Sequence, residues 1–170
     1  MNKEISRYDQ MRTLFERGKY FKLVCGAGNE DAQEVKRLAC IYTLAGASGL
    51  DVSATPKIVR ACSEGIDLAF QLSDTLDVEI DVRPYIKVSV GMPGDHHVRK
   101  AFINDDCVAC DLCIPVCPTN AIPDDLVIIR DKCIGCGLCE VACPPKIAAI
   151  RYEHNDKDLN KILPECIDAG

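Results

Sequence analysis

The sequence has no tryptophan, and aromatic residues make up only 5% of its 170 positions. That is too few for a surface that stacks bases or sugars. Positive charge is not in excess either. The net charge is −6, so no electrostatic case exists for a nucleic-acid or phospholipid partner. No apolar run is long enough to span a bilayer. Lys3, Glu4, Arg7, Asp9, Arg12, Glu16, Arg17 and Lys19 interrupt the first twenty residues, which leaves no apolar stretch of the kind a signal peptide needs. No Ser/His/Asp or paired-carboxylate arrangement stands out, so no catalytic residue is assigned. The expectation is a protein of the reducing cytoplasm.

Against these shortages stand twelve cysteines. Disulfides require an oxidising compartment. In the cytoplasm, clustered cysteines indicate metal. Eight of the twelve fall into two runs. The first is Cys107-x2-Cys110-x2-Cys113-x3-Cys117-Pro118, and the second is Cys133-x2-Cys136-x2-Cys139-x3-Cys143-Pro144. Both match the bacterial ferredoxin pattern, trailing proline included. The runs are offset by 26 residues (133 − 107), so they form an internal repeat. Their flanks repeat too: Phe102-Ile103 parallels Ile128-Ile129, and Ala121-Ile122 parallels Ala149-Ile150.

The spacing has a geometric reason. Two-residue gaps let three thiolates wrap three corners of one cubane, while the longer gap and the proline turn the fourth towards the other cluster. The expectation is two [4Fe-4S] clusters. Cys107, Cys110, Cys113 and Cys143 hold one; Cys133, Cys136, Cys139 and Cys117 hold the other. A zinc ribbon needs paired C-x2-C units and four ligands per ion. It needs neither the third cysteine nor the trailing Cys-Pro, and here both occur twice.

Gly135 and Gly137 lie between ligands of the second run, where Gly permits positive φ. The first run has Ala109 and Asp111 there. A four-thiolate cluster goes from about 2− to 3− on reduction, so acids oppose the electron. The module carries seven acids (Asp105, Asp106, Asp111, Asp124, Asp125, Asp131, Glu140) and four bases (Arg130, Lys132, Lys146, Arg151). Both clusters are expected at low potential, the Asp111 side lower.

Residues 1–102 read as an α/β region. A short amphipathic helix over 4–17, with Ile5, Tyr8, Met11, Leu14 and Phe15 on one face, is expected to close the end of a core. Strands follow at Phe21–Cys25, Leu50–Ser53 and Tyr85–Val90. The first helix between them is capped by Asn29 and runs to about Ala45. The second is capped by Thr55, with Pro56 in its first turn, and runs to about Leu76. Strand–helix alternation at this spacing predicts βαβ units, forming a partial parallel sheet or part of a βα barrel. Residues 103–152 form the α+β ferredoxin-like 2[4Fe-4S] module. Residues 153–170 hold a C-terminal helix, kinked or started late by Pro164. Three parallel strands make a poor closed core. The chain is therefore expected either to continue into further α/β structure or to dock its open sheet edge on a partner.

Other candidates carry less chemistry. Cys40, Cys62 and Cys166 lie on apolar helix faces and read as buried thiols. Cys25 ends a strand before Gly26-Ala27-Gly28, a loop that can approach a phosphate but is not a dinucleotide fingerprint. Asp51, Ser53, Ser89 and Gly91 fall near strand carboxyl ends, where α/β proteins place ligands. His96-His97 beside Asp95 reads as a solvated loop more readily than as a metal or proton site.

Phe21-Lys22-Leu23-Val24-Cys25-Gly26-Ala27, Leu50-Asp51-Val52-Ser53-Ala54, and Tyr85 to Val90 followed by His97-x-Arg99-Lys100-Ala101 precede the cysteine runs in that order. Over most of residues 20–152 the sequence resembles the light-dependent period protein A (LdpA) family. The resemblance implies an iron–sulfur protein with a further C-terminal α/β region, serving in cyanobacteria as a redox-linked input to the circadian clock. The regular spacing of Cys107 to Cys117 departs from the wider first run of cyanobacterial members, which favours a working two-cluster carrier and weighs against a clock role. The expected function is single-electron relay to or from a partner oxidoreductase, as a subunit of a hetero-oligomer or of a longer chain. A redox sensor whose cluster state controls partner binding is the alternative. An enzyme with substrate near Cys25, Asp51 and Ser89 is a third.

Overall fold

The computed structural model describes residues 5–91, 95, 98–154 and 158–170. Strands β1 (Lys22–Gly26), β2 (Gly49–Ser53) and β3 (Tyr85–Ser89) form a parallel sheet in the order β1-β2-β3. Helix α1 (Arg7–Glu16) precedes β1; α2 (Ala32–Leu44) and α3 (Pro56–Leu76) are the crossovers. The core lies on one face of the sheet. There Leu50 and Val52 meet Val35 and Ala39 of α2, and Ile58 and Ile66 of α3. The α2–α3 contact is close at Gly65, where a Cβ would sit 2.3 Å from the Lys36 carbonyl oxygen.

The opposite face is polar. Lys22 pairs with Asp51 at 2.7 Å, and the Ser89 hydroxyl donates to the same carboxylate. Among the described residues, β1 and β3 pair only with β2. The sheet is thus a small parallel one, and nothing in it closes a barrel.

Two local expectations need correction. Asp31, not Asn29, caps α2: its carboxylate accepts from the N–H groups of Gln33 and Glu34. Asn29 instead builds the turn before it, accepting from the Asp31 N–H and donating to the Cys25 carbonyl. Helix α1 closes no core, since none of its residues is buried and Ile5 and Tyr8 are about 70% exposed. It is held by polar and aromatic contacts. Arg7 donates to the carbonyls of Arg83 and Pro84 and lies 3.9 Å above the Tyr85 ring, while Phe15 stacks on Tyr20.

The ferredoxin-like part opens with β4 (Arg99–Ile103), which pairs antiparallel with β5 (Ile150–His154). Between them lie the two cysteine loops, a 3₁₀ turn at Arg130–Lys132 and the short helix α4 (Leu138–Ala142). Its core is small: Ala101, Ala121, Ile122 and Ile150 packed on Cys113, Cys133 and Cys139. Helix α5 (Leu159–Ala169), capped by Asp158, begins well before Pro164 and continues through it, so the proline does not set its start. It returns to α3 and places Cys166 in the α/β core.

Candidate metal centre

Each cysteine run folds as an open loop whose backbone turns inward. Ala109 and Asp111 adopt positive φ (51° and 60°), as do Gly135 and Gly137 (66° and 86°) at the repeated positions. For Ala and Asp this region is unfavourable. A second matched pair follows the runs: Asn120 and Ala148 are also left-handed, and the next residues, Ala121 and Ala149, point their N–H groups at Cys117 Sγ (3.2 Å) and Cys143 Sγ (3.3 Å). The Ala109 N–H donates to Cys107 Sγ, and the Ala101 N–H to Cys133 Sγ, both at 3.4 Å. Such bonds favour the charged sulfur.

The eight sulfurs surround two cavities. One is lined by Cys107, Cys110, Cys113 and Cys143 with Leu112, Leu126 and Ile150. The other is lined by Cys117, Cys133, Cys136 and Cys139 with Ile122, Ile128 and Tyr152. Each cavity therefore takes three cysteines from one run and the last cysteine of the other. In each run the second cysteine, Cys110 or Cys136, is exposed. Among the described residues, no three His, Cys, Asp or Glu converge on a single-ion site.

The electrostatics suit a polynuclear cation. Burial raises the Cys113 thiol above its ordinary range, and the nearby Cys107, Cys110 and Cys143 raise it further. Burial likewise raises Cys139; the Tyr152 hydroxyl lowers it, and Cys133 and Cys136 raise it again. Four thiolates cannot share either cavity without positive charge among them, which iron supplies. The Tyr152 hydroxyl is buried in the second cavity with no hydrogen-bond partner of normal geometry, though the Cys139 sulfur is close enough to perturb it. A donor in that position suits an anionic sulfur. By the number of sulfurs round each cavity, their chemistry and this donor, the residues fit a [4Fe-4S] cluster on each side.

The remaining candidates do not form a site. Cys25, Cys40, Cys62 and Cys166 are all buried. Burial pushes the Cys25 and Cys62 thiols up to about 12, so both stay neutral. Cys25 faces the helices, whereas Asp51 and Ser89 bond each other on the other face of the sheet, so these three do not converge. The Gly26-Ala27-Gly28 loop presents a carbonyl, that of Gly28, to the Lys100 ammonium. His96 and His97 lie outside the described residues.

Three charged residues have roles that the sequence does not assign. Lys100 is fully buried, and its Nζ donates at 2.7 Å to the carbonyls of both Gly28 and Cys133. Glu30 lies 3.5 Å from that ammonium and accepts from the hydroxyls of Ser53 and Thr55. Arg99 donates to the Gly135 carbonyl and covers the Tyr152 ring. Arg99 and Lys100 stand in the His97-x-Arg99-Lys100-Ala101 motif, which names no partner for either.

The family model described as 4Fe-4S binding domain matches the chain twice, at residues 101–122 and 126–147. Over 108 residues, 62% of its length, the chain is 36% identical to Light dependent period A of Synechococcus elongatus. The match spans 29% of that protein, so the chain corresponds to less than a third of its relative. No solved structure matches significantly. Two 4Fe-4S binding domains, each beside a four-cysteine cavity, make this an iron–sulfur chain carrying two [4Fe-4S] clusters and similar to Light dependent period A.

Proposed function

We propose that the chain relays single electrons between a partner oxidoreductase and a second redox protein, as a subunit or a section of a larger cytoplasmic protein. The observation that carries this is the pair of equivalent four-cysteine cavities, each with one ligand drawn from the other run and one exposed cysteine. A [4Fe-4S] cluster accepts and returns one electron without further chemistry. In this reading Cys107, Cys110, Cys113 and Cys143 ligate one, and Cys133, Cys136, Cys139 and Cys117 the other. The N–H groups of Ala101, Ala109, Ala121 and Ala149 offset the charge that arrives on the sulfurs. Exposed Asp111, lining the first cavity's loop, opposes it and sets that side lower.

The division into residues 1–102, 103–152 and 153–170 is part of the proposal, with β4 straddling its first boundary. So is the partner's place. Beside the edge of β3 that pairs with no strand among the described residues, a groove opens between Arg7, Tyr85 and Ile86 on one side and Leu163 and Ile167 of α5 on the other. Further strands added there, by a partner or by continuing chain, extend the sheet as an open one or towards a βα barrel.

The test is anaerobic purification from the native source with partners retained, followed by mass spectrometry and electron-exchange kinetics. An oxidoreductase should co-purify and exchange electrons with both clusters. A stable, isolated 170-residue monomer that exchanges with no co-purified protein overturns the proposal. One observation favours the sensor reading: the Cys133 loop is tied to the α/β part through Lys100, and Asp131 through the Glu30 N–H and Lys57. Partner affinity that changes with cluster oxidation state would support it.

A further inference from the structure

The 26-residue repeat places very different residues beside its two halves. Arg99 and Lys100 of β4 correspond to Asp125 and Leu126 (99 + 26 and 100 + 26). In the first pair, both cations bond carbonyls inside the second cysteine loop: Arg99 that of Gly135 at 3.1 Å, Lys100 that of Cys133 at 2.7 Å. In the second pair, Leu126 lines the first cavity as an apolar wall, and Asp125 is exposed and accepts from the Val127 N–H. One half therefore has a buried ammonium one residue's reach from a thiolate. The other has a hydrocarbon there and carboxylates around it.

Burial decides how much this matters. An exposed charge is screened by water and salt, while one removed from solvent acts at low dielectric. Lys100 is 0% exposed. Its ion-pair partner Glu30 accepts from the Ser53 and Thr55 hydroxyls of the α/β part, while the Glu30 N–H donates to the Asp131 carbonyl. Of the pair, it is the ammonium that bonds the Cys133 carbonyl, which sets positive charge against that loop. Such a field favours the more negative state of whatever that loop holds.

We infer that Lys100, oriented by Glu30, is a positioning residue that makes the Cys133-side cluster the higher-potential one and so polarises the relay. This rests on the two-cluster reading above. An electron arriving at the acidic Asp111 side is passed on; what the Cys107-side cluster loses, the Cys133-side cluster gains. It comes to rest beside the α/β part, next to Gly28, Glu30 and the strand ends. One-electron exchange with protein donors and acceptors then has a preferred direction, set by a fixed charge and not by any change in ligands.

The experiment is an anaerobic EPR-monitored redox titration of the full chain holding both clusters, on wild type, Lys100→Met and Glu30→Gln. Cys136→Ala, which spoils the Cys133-side cluster, assigns its couple. Lys100→Met should lower the potential of that couple and leave the other unmoved. Glu30→Gln should raise it, because the carboxylate that offsets the ammonium is gone. Opposite shifts confined to one couple are not what loosened packing produces. If Lys100→Met fails to fold, the Glu30→Gln shift still decides the matter. Two couples in wild type with no such shift, or with a downward shift in Glu30→Gln, overturn the inference alone. A wild type without two one-electron couples overturns the relay reading, and the inference with it.

Discussion

Asp111 shows how a single residue can be read two ways and then separated. It stands where the second run has Gly137, and it adopts the left-handed backbone that glycine takes without strain. Asp111→Gly removes both strain and charge; Asp111→Ala removes only the charge. Both should raise the potential of the Cys107-side couple by a few tens of millivolts, the scale of a solvent-screened unit charge. Asp111→Gly should be the more stable of the two by about 1 kcal/mol. Voltammetry and denaturant unfolding read the two effects independently. Equal potentials in wild type and both variants would remove Asp111 from the redox argument.

The structural cysteines give a pH prediction at the same scale. Burial raises the Cys25 and Cys62 thiols from the ordinary 9.0 to about 12. A raised pKa means the folded state holds the proton that the unfolded state releases. Their contribution is therefore fully present below pH 9 and is lost between pH 9 and 12. The loss is ~1.4 kcal/mol per pH unit per thiol. Anaerobic unfolding from pH 8 to 10.5 should show this slope, and Cys62→Ala should lose its share of it. Neither thiol should react with iodoacetamide at pH 8 in the folded protein, because the neutral thiol is not the nucleophile.

At the scale of elements, periodicity carried the α/β part because each helix buries one stripe against one sheet face. Val35 and Ala39, then Ile58, Cys62 and Ile66, all reach the core as their spacing requires. The errors arose where local chemistry competes. Asn29 and Asp31 are both good caps, and only the turn that Asn29 makes with Cys25 decides between them. The apolar stripe of α1 is real, but none of it is buried: Phe15 stacks on Tyr20, and Arg7 binds the β3 entry. Strand β4 was hidden because its partner β5 lies beyond both cysteine runs. Lys100 was hidden for the same reason, its acceptor Gly28 being 72 residues away in the chain.

Gly65 tests the packing that did become visible. A methyl group there would lie 2.3 Å from the Lys36 carbonyl oxygen and 2.8 Å from Ala39 Cβ, both parts of α2 that cannot swing aside. Gly65→Ala should therefore cost ~1–3 kcal/mol by forcing the helices apart, despite alanine's better helix propensity. Stabilisation of the full chain in urea would show that the α2–α3 contact is looser than these distances.

For the whole molecule, the decisive question is whether the two cysteine runs are independent or crossed. The ferredoxin-like part buries a core of few side chains, so crossed ligation would be its main long-range staple. Cys117 lies with Cys133, Cys136 and Cys139, while Cys143 lies with Cys107, Cys110 and Cys113. Under crossed ligation, Cys117→Ala should behave like Cys136→Ala, and Cys143→Ala like Cys110→Ala, each falling from about eight irons per chain to about four. Iron content alone cannot tell which cluster survives, but the neighbouring charges can. In Cys117→Ala the survivor sits beside Asp111, so adding Asp111→Gly should still raise its potential. In Cys143→Ala the survivor sits beside Lys100, so Asp111→Gly should leave it unmoved and Lys100→Met should lower it. The reverse pattern would show that each run serves its own cluster, and the module's stability would then have to come from its small core and its contacts with the α/β part.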